Sequence, residues 1–163
     1  MHRKPLGYRP IDPRITTIFM DSCAFDPKYS PEDQAALTLF NLSEKDELIL
    51  NIAHSTQKEI EHPNTPAWVK LEANKLIYTI KTSLTADEVN CKGKIFRILA
   101  GNGKPENMVK DAEHIFEADK YSSYFVTTDE RILKKKEELK VVVSLHILKP
   151  SELLEILDSY KNS

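Results

Sequence analysis

Two cysteines in 163 residues, Cys23 and Cys91, are too few for a disulfide scaffold. They point to reduced thiols and a cytoplasmic protein. No apolar run approaches the roughly 20 residues that a membrane span needs, so no membrane partner is expected. The opening MHRKPLGYRPIDPR is charged but has no apolar segment, which does not fit a secretory signal. The formal net charge is −2, which excludes nucleic-acid binding by a global positive field. Such a partner would need a local basic patch. Internal repeats, low-complexity linkers and a Cys/His cluster of zinc type are also missing. What is present is 40% apolar and 29% charged residues, the composition of one globular domain with a core of its own.

Residues 1–15 hold prolines and basic side chains and read as an N-terminal arm; residues 16–163 read as a single domain. TTIFMD (16–21) is a short, apolar, β-branched run and a predicted buried strand. SPEDQAALTLFNLS predicts a helix with Ser30 as N-cap, Pro31 at the first position and Ala35, Leu39 and Leu42 on its inner face. DELILNIA (46–53) predicts a second strand, STQKEIEH the start of a helix, and PNTP its break. PAWVKLEANKLIYTI predicts a longer helix with Trp68 or Leu71, Leu76 and Ile80 inward. TADEVNCKGKIFRILAG carries a Thr85–Glu88 capping box and Gly101 as a stop. KPENMVKDAEHIFEADKYS shows an apolar stripe of Met108, Ala112, Ile115 and Phe116. YFVTTD (124–129), ERILKKKEEL, VVVSLHIL (141–148) and PSELLEILDSY then read as strand, short helix, strand and closing helix. Strands alternating with helices imply parallel crossovers, hence a three-layer α/β/α fold with a central parallel sheet.

Four acids fall at one place in that arrangement. Asp21 ends the first strand, Glu59 follows the second, and Asp129 ends the third. Asp111 shares a helical face with Ile115 and Ala118 in the helix leading to the third strand. Each acid also has a structural reading. Asp21 and Asp129 can cap the helices that follow them. Thr56 and Glu59 fit a capping box, and Asp111 can be a solvated helix acid. Taken together, four carboxylates at one sheet edge resist ionising side by side. A divalent cation relieves that cost, and hard oxygen ligands suit Mg²⁺ or Mn²⁺.

The segments FMDSCAF, LNIAHSTQKEIEH, DAEHIFEADKYSSYFVTTDERIL and VVVSLHILKPSELL resemble the PIN-domain family over residues 16 to about 155. The most specific part is D-A-x-H-I-x-x-A followed by FVTTDERIL. The resemblance implies a parallel sheet of 3-2-1-4-5 order and a Mg²⁺- or Mn²⁺-dependent endoribonuclease. Its metal-binding and catalytic quartet would be Asp21, Glu59, Asp111 and Asp129, with Thr127, a substrate-binding candidate together with Arg131 and Lys58, matching a family Ser/Thr two residues before the last acid. Glu61 is the alternative to Glu59, since KEIEH offers both, and the family's third strand is not evident between residues 62 and 105. The partners expected are RNA, single-stranded or structured, a small antitoxin protein covering the site, and a second copy of the chain. Two other functions compete with this one: a catalytically inactive RNA-binding or assembly module of the same fold, and a structure-specific DNA nuclease.

Basic residues near the acids are candidates for phosphate contacts. Arg131, two residues past Asp129, and Lys58 lead; Lys134–Lys136 and the arm residues Arg3, Lys4, Arg9 and Arg14 follow. His54, His62 and His114 lie near the same place, as general bases, phosphate ligands or structural histidines. Cys23 and Trp68 read as packing residues.

Overall fold

The computed structural model describes residues 10–52, 63, 65–76, 83–100 and 105–162. Four strands form one parallel sheet: β1 Thr17–Met20, β2 Ile49–Asn51, β3 Tyr124–Val126 and β4 His146–Leu148, in the order β2-β1-β3-β4. Pairing runs Thr17 to Ile49, Ile18 to Tyr124 and Tyr124 to His146. The helices are α1 Glu32–Glu44, α2 Ala67–Leu76, α3 Ala86–Leu99, α4 Pro105–Tyr121, α5 Glu130–Leu133, α6 Lys136–Leu139 and α7 Pro150–Lys161. Short 3-10 turns cover Pro13–Ile15 and Ser22–Ala24.

The strands alternate between two cores, as the two-residue period of a strand requires. Ile18, Met20, Tyr124, Val126 and Leu148 face one side, under Leu39 and Phe40 of α1 and Leu153 and Leu157 of α7. Phe19, Phe125 and Ile147 face the other, under Ile95 and Leu99 of α3 and Met108, Ala112 and Ile115 of α4. Both sheet faces are covered, so the chain is a three-layer α/β/α domain built on a parallel sheet. Among the described residues, no helix is long and apolar enough to cross a membrane.

The expected α3 capping box is present: the Thr85 hydroxyl accepts from the Glu88 N–H at 3.2 Å, and Glu88 accepts from the Thr85 N–H at 3.0 Å. The α4 stripe of Met108, Ala112, Ile115 and Phe116 is buried throughout. Other details differ from expectation. Pro31, not Ser30, is the N-cap of α1, because the Tyr29 carbonyl takes the Asp33 N–H at 3.0 Å. Among the described side chains of α2, Val69 is buried, whereas Leu71 is 63% exposed. Two residues along a helix turn the side chain about 200°, so the two cannot both face inward. Trp68 sits half-exposed at the rim, edge-on to Phe40 at 6.4 Å between ring centroids. The last strand is only His146–Leu148. Val141, Val142 and Val143 instead donate back to Glu138 and Leu139 carbonyls, closing the end of α6, and Val141 is 86% exposed. Leu76 and Ile80 as inward residues, and Gly101 as a stop, lie outside the described side chains.

Residues 10–15 lie against the domain rather than apart from it. Pro13 is buried, the Tyr124 hydroxyl donates to the Ile11 carbonyl, and the Tyr160 hydroxyl donates to that of Pro10.

Candidate functional site

Strand order reverses between β1 and β3. That is the topological switch point, where an open α/β sheet leaves a crevice beyond its carboxyl ends. The ladder carries on one residue past each strand there. The Asp21 N–H donates to the Val126 carbonyl at 2.8 Å, and the Thr127 N–H donates to the Leu148 carbonyl at 3.0 Å. The chain then turns at both points, which leaves Asp21 and Thr127–Asp129 side by side at the crevice.

Thr127 ties the two turns together. It is fully buried, its hydroxyl donates to Asp21 Oδ2 at 2.9 Å, and the same oxygen accepts from the Asp129 N–H at 3.1 Å. The hydroxyl is thus committed to positioning two acids and does not face solvent. Cys23 Sγ lies 3.4 Å from Asp21 Oδ2 and 3.3 Å from Thr127 Oγ1. Cys23 is exposed rather than packed in the core. Its sulfur nevertheless sits against Asp21, Thr127 and Thr128, and desolvation there, then the Asp21 carboxylate, raises the thiol above its ordinary value. Cys23 is therefore a neutral thiol in the network, a role that its place two residues after Asp21 did not announce.

The structural readings of two acids hold. Asp21 Oδ1 caps the 3-10 turn by accepting from the Ser22 N–H at 2.9 Å. Asp129 Oδ1 caps α5 by accepting from the Arg131 N–H at 2.9 Å. Capping leaves carboxylate lone pairs over, and the neighbours differ in how they use them. Asp129 also takes both arms of Arg131, from Nε at 3.2 Å and Nη2 at 2.9 Å. The same Nη2 lies 3.9 Å from Asp111 Oδ2.

Asp111 comes from the other layer, on the buried α4 face with His114, Ile115 and Ala118. It is 8% exposed, and its Oδ2 is buried without a hydrogen-bond partner. Burial pushes its carboxyl up to about 7, with Asp21 and then Asp129 adding to the rise; Arg131 and His114 oppose it. Asp21, Asp111 and Asp129 thus share one electrostatic neighbourhood. His114, i+3 from Asp111, is fully buried beside it, and the D-x-x-H spacing is the signal for that pairing.

Glu59, Glu61, Lys58, His54 and His62 lie outside the described residues. Among the described residues, no three His, Cys, Asp or Glu side chains gather closely enough to hold one metal ion. The donor chemistry nevertheless suits a hard cation: three carboxylates, one with a buried oxygen that nothing hydrogen-bonds. The guanidinium of Arg131 supplies the nearby positive charge. No protein-family model matches the chain, and no curated protein matches it in sequence.

Proposed function

We propose that the chain is a metal-dependent endoribonuclease of PIN-like architecture, acting at the crevice between β1 and β3. The observation that carries this reading is Asp111. A buried carboxyl raised to about 7, with an oxygen that accepts no hydrogen bond and only a long ion pair to Arg131, beside two further carboxylates at a switch point, is costly to the fold. Such cost is characteristic of functional sites. On this reading the observed order β2-β1-β3-β4 is the 2-1-4-5 portion of a 3-2-1-4-5 sheet, with the edge strand 3 not among the described residues.

Asp21, Asp111 and Asp129, which do not converge to ligation distance of one point here, would close on Mg²⁺ or Mn²⁺ when it binds, with Glu59 as the fourth carboxylate. When bound, the ion lowers the pKa of a water and offsets charge on the phosphodiester. The remaining work belongs to the side chains. Thr127 holds Asp21 and the start of the Asp129 turn in fixed relation. Asp111 gives up its proton as the site fills. Arg131 releases Asp129 and turns to a substrate phosphate, for which a planar guanidinium is suited. RNA is the proposed substrate and an antitoxin-like protein the proposed regulator, both resting on the family resemblance.

A second reading has its own support. Asp129 is chelated by Arg131, which is how a non-catalytic binding module would neutralise an old acid. One experiment separates the two. Purified chain is given labelled RNA, single-stranded DNA and duplex DNA across a Mn²⁺ and Mg²⁺ titration, beside Asp21→Asn. We expect RNA cleavage that needs metal, and a loss of at least about 100-fold in the variant. The amide oxygen still accepts from the Ser22 N–H, and the amide NH2 can donate to the Thr127 hydroxyl in place of the bond Thr127 now donates. With one carboxylate charge gone, melting should stay close to the parent's. No cleavage of any substrate, or a variant as fast as the parent, overturns the nuclease reading.

A further inference from the structure

A second charged feature lies beyond α5. Lys94, Arg97, Ile98 and Ala100, at the end of α3, face Lys135, Glu138 and Val142 around α6 across a solvent-open cleft of about 440 Å³. Three cations line it against one carboxylate, in a chain whose net charge is −2. That carboxylate is already engaged, since Lys135 Nζ meets Glu138 Oε1 at 3.3 Å. Lys94 and Arg97 make no hydrogen bond or salt bridge among the described residues. Ile98, Ala100 and Val142 give the cleft an apolar side.

We propose that this cleft is a binding site for the backbone of single-stranded RNA, an inference that rests on the nuclease reading and adds to it a place for the strand. A cationic rim takes phosphates while the apolar wall meets the face of an unpaired base, which a duplex would not present. Its position suits this use. Asp129 caps α5, and Lys135 follows six residues on, at the junction between α5 and α6. Arg131 lies between them. A strand crossing the carboxylates would be led toward the cleft by the short α5 that Asp129 caps and that ends beside Lys135. The KKK run alone reads as a solvated face; it is Lys94 and Arg97, about 40 residues earlier, that turn one of its lysines into part of a site.

The test measures anisotropy of a labelled RNA of about 12 nucleotides on the full chain in EDTA, across a salt series. The variant is Lys94→Ala/Arg97→Ala, with thermal melting to check its fold. Loss of two phosphate contacts should weaken binding about ten-fold and reduce the salt slope by about 1.4. Unchanged affinity and slope overturn the site. So does a parent chain that prefers polyglutamate to RNA, which would make the cleft a seat for an acidic protein. A parent that cleaves RNA in Mn²⁺, with a double variant that binds and cleaves equally well, removes the cleft and leaves the nuclease reading standing. A parent that neither binds nor cleaves RNA removes both.

Discussion

Glu32 and Asp111 are both buried carboxylates, and they are handled in opposite ways. Glu32, 3% exposed at the start of α1, has a partner for each oxygen. Oε1 accepts from the Ser151 N–H at 2.9 Å, and Oε2 accepts from the Ser151 hydroxyl at 2.8 Å. It caps α7 from another helix, where Lys149 at the N-cap has no side-chain acceptor, and its charge suits a helix N-terminus. Asp111 has a buried oxygen with no hydrogen bond and two acids for neighbours. The contrast separates a buried acid that joins two helices from one whose burial works against its own ionisation.

The largest test of this contrast is Glu32→Ala. It leaves two Ser151 donors without their acceptor and should cost about 2–3 kcal/mol, read by denaturant unfolding. Nuclease activity well below the melting point should stay at the parent's level. A loss of activity without a loss of stability would move Glu32 into the functional class.

Asp111→Asn should act in the other direction. The unfolded chain ionises this group near 3.8 and the folded chain near 7, so the folded state holds more protons between those values. Stability therefore falls as pH rises through that window, and the loss is complete above about 7. The amide removes this dependence. We expect the variant to be about 1–2 kcal/mol more stable than the parent at pH 8, with a flatter melting profile from pH 5 to 8, and inactive. Parallel profiles for parent and variant would contradict the raised pKa of Asp111.

The smallest expected effect concerns which residue completes the acidic edge. Glu59→Gln should weaken activation by Mn²⁺ about ten-fold, while melting in EDTA barely changes. A capping-box glutamate would tolerate the amide, which still accepts the cap N–H. Should Glu61→Gln carry the loss instead, the fourth ligand moves two residues along.

Much of this was legible along the chain because the relevant physics is local. Thr85 and Glu88 form their box within one turn, and the α4 stripe follows from helical period alone. Asp21 and Asp129 could be placed at strand ends because apolar runs stop there. Where the reading slipped, a competing local bond was the reason. The Tyr29 carbonyl displaced Ser30 from its capping role, and the end of α6 consumed Val141–Val143.

The sequence by itself determined the alternation of strands and helices, the positions of three acids relative to those elements, and the absence of any long apolar span. Tertiary structure alone decided what each carboxylate meets. Asp111 is 90 residues from Asp21, and Glu32 is 119 from Ser151. No periodicity encodes such separations. Their partners are set by how α4 and α7 settle on opposite faces of the sheet, through side-chain packing that only the closed core defines. The same holds for Lys94, Arg97 and Lys135, which are unremarkable surface cations until α3 and α6 pack together and make a cleft of them.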